Sequence, residues 1–143
     1  MFSRSSKYAI KGVLYLALHA SVENKIQAKD LSAPINAPAP YIAKLLQELA
    51  RHNMVSSVKG PHGGFYLDEV NLQMNIMQII EIIDGEDKFR SCLLSLEQCN
   101  SENPCPLHNL VGDQKLGVIH NLENTTIKEL VADVKQGNSI LPL

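Results

Sequence analysis

Val55-Ser56-Ser57-Val58-Lys59-Gly60-Pro61-His62-Gly63-Gly64-Phe65-Tyr66-Leu67 is the stretch on which the reading of this chain turns. Val55 to Val58 suits a short strand, and Phe65 to Leu67 suits its return. The residues between them are breakers that force a turn. The stretch therefore predicts a β-hairpin. A purely structural hairpin does not explain the basic residue beside so many glycines. Glycine lets a backbone approach a phosphate closely, and Lys59 and His62 sit at the tip.

Working backwards, residues 39–52 predict a helix with Ile42, Leu45, Leu46 and Leu49 inward and Lys44, Gln47, Glu48 and Arg51 outward. Pro38 and Pro40 are tolerated there because the first helical turn has no intrahelical partners for its N–H groups. Residues 28–35 predict a shorter helix with Ala28, Leu31 and Ile35 inward, weakened at its end by Pro34. Asn36 suits a left-handed turn between the two. Such a pair is either an ordinary helical hairpin or a helix-turn-helix, whose second helix can enter the major groove of DNA. A hairpin placed directly after a helix-turn-helix is a wing, so the opening stretch favours the second reading.

The remainder of the chain predicts four more features. Residues 5–20 form a helix capped by Ser5 or Ser6, with Ile10, Val13, Leu14, Ala17 and Leu18 on one face and Lys7, Lys11 and Tyr15 on another. Residues 75–84 form a helix with Ile76, Ile79, Ile80 and Ile83 on one face, ended by Gly85. A helix from Pro106 to about 123 carries Leu107, Val111, Val118 and Leu122 in one stripe, with Leu110, Leu116 and Ile119 beside it. Thr126-Ile127-Lys128-Glu129 is a capping box opening a last helix, which Gly137 stops. The fold class is thus mainly α with one small hairpin. It divides into a winged helix-turn-helix unit at 1–85, a cysteine-containing loop at 86–108, and a long helix plus a C-terminal helix at 106–143.

The net charge of −2 conceals an asymmetry. Residues 1–66 carry eight Lys/Arg against three Asp/Glu, a balance of +5, while residues 67–143 carry five against twelve, a balance of −7. That is either a polyanion-binding head or chance segregation on a solvated surface. No apolar run approaches the roughly 20 residues of a membrane helix. The N-terminus lacks the apolar block of a signal peptide, and a cytoplasmic protein is expected. No nucleophile–base pair, phosphate loop or paired carboxylates stand in a recognisable frame, so an enzyme is not expected.

All three cysteines, Cys92, Cys99 and Cys105, lie in one loop, and His108 follows. In a reducing compartment, clustered cysteines bind metal or do redox chemistry. Thiolates and imidazole suit iron–sulfur clusters and zinc alike. The intervening lengths of six and five residues contain no short zinc knuckle. The spacing leaves a cluster, zinc and a thiol switch open, with a cluster a little ahead.

Four segments together resemble the IscR/NsrR/CymR-type (Rrf-two family) winged-helix transcriptional regulators of bacteria. They are Ser6-Lys7-Tyr8-Ala9-Ile10, Pro38 to Gln47, Val55 to Phe65, and Thr126 to Leu130, and they fall in family order across nearly the whole chain. The resemblance implies a homodimer with two winged helix-turn-helix heads, a long dimerisation helix near the C-terminus, and repression or activation through a near-palindromic operator on double-stranded DNA. It also implies an iron–sulfur cluster on Cys92, Cys99 and Cys105. The IscR-like branch adds a histidine, matched by Cys105-Pro106-Leu107-His108, whereas the NsrR-like branch uses an acidic ligand where this chain has Lys7. His108 is therefore the expected fourth ligand. A [2Fe–2S] cluster is favoured, with [4Fe–4S] as the alternative. The IscR-like recognition helix has an acidic base-reading residue where Ala43 stands, so the operator sequence does not carry over. Ala39, Pro40, Tyr41, Ala43 and Lys44 are expected at the major groove. Lys59, Gly60 and His62, with Arg4, Ser5 and Lys7, are expected at phosphates or the minor groove. The competing expectation is a cluster-free, zinc or thiol regulator of the same fold, controlled by a partner protein.

Overall fold

A computed structural model describes residues 2–94 and 101–143. Seven helices and one hairpin occur among them, in the order α1 (Arg4–His19), α2 (Ala28–Ile35), α3 (Ala39–Arg51), β1 (Ser56–Val58), β2 (Gly64–Tyr66), α4 (Glu69–Leu72), α5 (Ile76–Asp84), α6 (His108–Glu123) and α7 (Ile127–Lys135). No described helix is long and apolar enough to cross a membrane.

Helix α1 is the axis of the core and packs on α2, α3, α5 and α7. Its fully buried stripe is Ser6, Ala9, Gly12, Val13 and Leu16. Of the expected face, Val13 is buried, while Ile10, Leu14, Ala17 and Leu18 are only half-buried. The small residues decide this, because Gly12 lets the side chains of Ile35 and Leu46 close against α1. The N-cap also differs from expectation. Ser3 caps α1 by accepting from the Ser6 N–H at 2.9 Å. Ser5 and Ser6 lie inside the first turn, and their hydroxyls are used in tertiary contacts with Tyr41 and Asp84.

Helices α2 and α3 meet through a turn in which Asn36 is left-handed (φ 56°) and Ser32 Oγ donates to the Ala37 carbonyl at 2.7 Å. The expected inward set of α3, Ile42, Leu45, Leu46 and Leu49, is buried. Full burial of such side chains contributes about 1.5–3 kcal/mol each. Ile42, Leu46 and Leu49 join Leu16, Leu31, Ile35, Met77, Ile79, Ile80 and Ile127 in one core.

The hairpin pairs Ser56 with Tyr66, Ser57 with Phe65 and Val58 with Gly64. Its turn closes by donation from the Gly63 N–H to the Gly60 carbonyl at 2.9 Å, with Pro61 in the second turn position that its fixed φ favours. A further tie runs to the chain before α2: Ile26 and Phe65 exchange both backbone hydrogen bonds, at 3.0 and 2.8 Å. A Cβ on Gly64 would come within 2.9 Å of the Ile26 backbone, so that tie requires glycine.

Helix α4 has no counterpart among the expected elements. It is a single turn held by Asp68 and Asn71 in a reciprocal cap. Asn71 is buried, and it accepts from Ser56 Oγ at 2.8 Å and donates to the Asn53 carbonyl at 2.7 Å. A polar side chain thus fastens α4 to the foot of the hairpin, a link that apolar periodicity does not register.

Helix α6 starts at His108, two residues later than expected, after a turn in which the His108 N–H donates to the Cys105 carbonyl at 3.0 Å. Only Ile119 of this helix is buried, while Leu110 and Leu116 are 67% and 65% exposed. The capping box of α7 forms as expected, with Thr126 Oγ1 and N–H each bonded to Glu129. These Thr126 bonds hold the Glu129 carboxyl below its usual pKa. A depressed folded-state pKa stabilises above the unfolded value and is lost as pH falls through the folded value. Thr126→Ala should therefore lower the melting temperature at pH 7, and the gap to the parent should narrow as pH falls well below 4. Parallel thermal melts across pH would check this.

Candidate nucleic-acid face and cysteine cleft

The residues expected at DNA fall on two surfaces. The first is where the starts of α1 and α3 meet. Ser5 Oγ and the Tyr41 hydroxyl are hydrogen-bonded, and the Tyr41 ring stands edge-on to Tyr8 with centroids 5.9 Å apart. Arg4, Lys7, Pro40 and Lys44 are exposed around this junction, and Ala39 and Ala43 are half-buried. Ser5 and Tyr41 therefore set the placement of the cations around them.

The second surface is the wing. Lys59, Gly60 and His62 are exposed at its tip. An open groove runs between the wing and α3, lined by Gln27, Gln47, Arg51, Lys59 and Gly60 among others. The sequence places Gln47 and Arg51 on the outward face of α3, and the fold adds them to the DNA candidates. The signal was present in the sequence: positions 40, 44, 47 and 51 share one helical face. Arg51 pairs with Glu48 at 3.0 Å, but its side chain is 72% exposed, and such pairs are worth little. A phosphate can compete for it. Lys59→Ala should weaken binding to every duplex alike and reduce the slope of log affinity against log salt by about 1. Fluorescence anisotropy over a salt series checks it, and altered sequence preference at unchanged affinity would refute a phosphate role for Lys59.

Among the other imidazoles, the His52 ring nitrogen Nδ1 meets the Glu48 carbonyl at 3.0 Å at the end of α3, and His19 packs on Tyr15.

The cysteine loop is described in part. Cys99 lies outside the described residues. Cys92, Cys105 and His108 line one small cleft, with Leu93, Leu107 and Val111 as apolar walls. Cys92 is buried and Cys105 half-buried. The turn from Cys105 to His108 places a thiol and an imidazole at the same corner of α6. Gly112 stands one helical turn on, where a Cβ would lie in ordinary contact with that imidazole, 4.0 Å from His108 Nε2. Among the described residues, no three of His, Cys, Asp and Glu converge as a single-ion site. Thiolate and imidazole are ligand types that zinc and iron–sulfur clusters both accept.

Surface contacts tie the segment leading into Cys92 to α5 and α6. Arg90 bridges Glu123 of α6 and Glu81 of α5. The hydrogen bond it donates to Glu123, then that to Glu81, hold its guanidinium more firmly charged than an ordinary arginine. The Lys115 ammonium donates to the Ser91 carbonyl.

A helix-turn-helix followed by a glycine-tipped wing, basic on that side, defines the winged-helix class of DNA-binding regulators. The chain belongs to the Rrf2 family, described as iron-dependent transcriptional regulators, whose profile matches residues 2–133. It is a transcription regulator and not an enzyme. An HTH-type transcriptional regulator of Aquifex aeolicus is 32% identical over 133 residues, covering 92% of this chain and 91% of that one. The regulator IscR of Sodalis glossinidius is 28% identical over 127 residues, covering 89% and 76%. In fold, the chain matches CymR, the global cysteine regulator of B. subtilis, at a TM-score of 0.70 with 19% identity, covering 92% and 96%. It matches IscR of T. potens at 0.69 with 19% identity, covering 97% and 91%.

Proposed function

We propose that this chain is a homodimeric, cytoplasmic transcription regulator whose binding to a near-palindromic operator is governed by an iron–sulfur cluster. Cys92, Cys99, Cys105 and His108 would hold the cluster, a [2Fe–2S] group in preference to [4Fe–4S]. The observation that carries the reading is the shared cleft of Cys92, Cys105 and His108, set where the segment after α5 meets the start of α6. When bound, the cluster supplies a redox- and nitrosation-sensitive centre.

The chain's own residues do the remaining work. Cys92 ends a segment pinned to α5 and α6 by Arg90 and to α6 by Lys115. Cys105 and His108 begin α6. The exposed Leu110 and Leu116 make α6 the natural surface for a second copy, since a shared helix face is self-complementary about a two-fold axis. Ordering of the loop then fixes the angle between two DNA-reading heads, and its release frees that angle. Arg4, Ser5, Lys7, Ala39, Pro40, Tyr41, Ala43 and Lys44 face one stretch of groove, and Lys59, Gly60 and His62 face the adjoining backbone. Two-fold symmetry places half-sites about one helical turn apart.

The likeness in fold to CymR supports a second reading, a thiol or zinc regulator without a cluster. One experiment separates the two. The protein is purified without oxygen, its visible absorption recorded, and iron, sulfide and zinc assayed. Its binding to duplexes it retains from a random library is then measured with and without the bound group. Brown protein containing iron and sulfide, with a changed duplex affinity on their removal, is the expected result. Colourless, iron-free protein, or identical affinity for all duplexes in both states, would overturn it.

A further inference from the structure

Asp84 is the last residue of α5, yet both of its carboxylate oxygens serve α1. Ser3 Oγ donates to Oδ1 and Ser6 Oγ to Oδ2, each at 2.7 Å. Ser3 is the N-cap of α1, and Ser6 is wholly buried. A carboxylate at a helix C-terminus faces the negative end of the dipole, so Asp84 is unfavourably placed for its own helix. The N-terminus of α1, by contrast, attracts an anion and has no acidic residue in its own first turn, where Arg4 and Lys7 stand instead. Asp84 supplies from α5 the negative charge that α1 lacks.

A second contact lies beside it. Phe2 stacks on Phe89, with ring centroids 5.5 Å apart and planes at 20°. Phe89 is buried and stands three residues before the buried Cys92. Between them, Arg90 and Ser91 are held by Glu81, Glu123 and Lys115. At the other end, Ser5 passes the position of α1 to Tyr41 of α3. A short series of packed and hydrogen-bonded groups thus joins the cysteine segment to both helices of the first DNA surface.

We propose that Asp84 and the Phe2–Phe89 pair form a joint that positions the N-terminal turn of α1 on DNA and couples it to the segment carrying Cys92. The proposal rests on the reading that this turn faces DNA. In this scheme Asp84 touches no DNA and acts through Ser3 and Ser6. A displacement of Cys92 shifts Phe89, and with it Phe2, the α1 cap and the Arg4 and Lys7 side chains. A joint that merely stabilised the fold would leave the response to Cys92 unchanged.

The test uses the full chain purified without oxygen, with thermal melts to establish folding. Cys92→Ser is made in the parent, in Asp84→Asn and in Phe89→Leu. Two quantities are read: affinity for duplexes retained from a random library, and amide hydrogen exchange of residues 3–8 without DNA. In the parent, Cys92→Ser should change affinity by about tenfold and speed exchange at residues 3–8; in either joint variant both responses should fall to about twofold or less. Equal responses in all backgrounds, or no exchange response in the parent, would overturn the joint. Because exchange is read without DNA, a failure of the DNA-face reading shows separately, as unchanged affinity in an Arg4→Ala, Lys7→Ala double variant. If Asp84→Asn does not fold, the Phe89→Leu series decides.

Discussion

Gly63→Ala is expected to open the wing and lower DNA affinity by about tenfold or more, the equivalent of ~1.4 kcal/mol. Gly63 does not need a left-handed backbone; its demand is for space. A Cβ there would stand 2.0 Å from the Val58 carbonyl oxygen and 2.8 Å from the Lys59 carbonyl carbon. Both are backbone atoms and cannot rotate away as a side chain tip could. Relief requires the turn to lift from the end of β1, which breaks the Gly63-to-Gly60 hydrogen bond and the Val58–Gly64 pairing. Overpacking of this kind costs about 1–3 kcal/mol, and here it falls on the tip of a two-stranded ribbon, beyond the Ile26–Phe65 tie. The core lies elsewhere, so the melting temperature should move less than the affinity. Anisotropy titration, with hydrogen exchange at residues 58–65, measures both. Unchanged affinity with a demonstrably opened hairpin would remove the wing from DNA binding.

Cys105→Ser is expected to abolish tight iron and sulfide binding, and His108→Ala to leave it present but labile. Cys105 and His108 sit on one turn, so the substitution takes a thiol from a corner whose geometry is already set by a 3.0 Å backbone hydrogen bond. Serine is nearly isosteric but supplies a hard oxygen where a soft sulfur is needed. Cys105 is only half-buried, so the metal-free variant should melt within about 1 kcal/mol of the metal-free parent, as surface substitutions do. Iron and sulfide assays after anaerobic purification provide the measurement. Full iron retention in Cys105→Ser would dismiss Cys105 as a ligand.

Wherever one apolar face carries an element, the sequence revealed it. The strict spacing of Ile42, Leu45, Leu46 and Leu49 made α3 and its buried face plain, and the breakers from Gly60 to Gly64 located the wing. Polar tertiary links were not legible. Asp84 lies far along the chain from Ser3 and Ser6, and no periodicity relates it to them. The same is true of Asn71, whose burial depends on Asn53 and Ser56 arriving beside it. In α1, apolar spacing did not single out one core face: Ile10, Leu14 and Leu18 are half-buried, and close packing selected Ala9, Gly12, Val13 and Leu16. At the candidate sites, charge and residue type gave the individual members, while the groove holding Gln47, Arg51 and Lys59 required the fold. Cys92, Cys105 and His108 line one cleft, Cys99 lies outside the described residues, and the ligand set implied by family resemblance is a proposal.

Helix α6 has sixteen residues, two glycines and one buried side chain. A helix of that length and composition is marginal in water by itself, because nucleation is costly and glycine lowers propensity. Whatever covers Leu110 and Leu116 therefore helps to hold the helix. If a second copy covers them, formation of α6 obeys mass action, and dilution loosens the helix before the rest of the chain. The abundance of this regulator would then be an input to its own switch: too few copies, and the turn bearing Cys105 and His108 loses its footing whatever the signal.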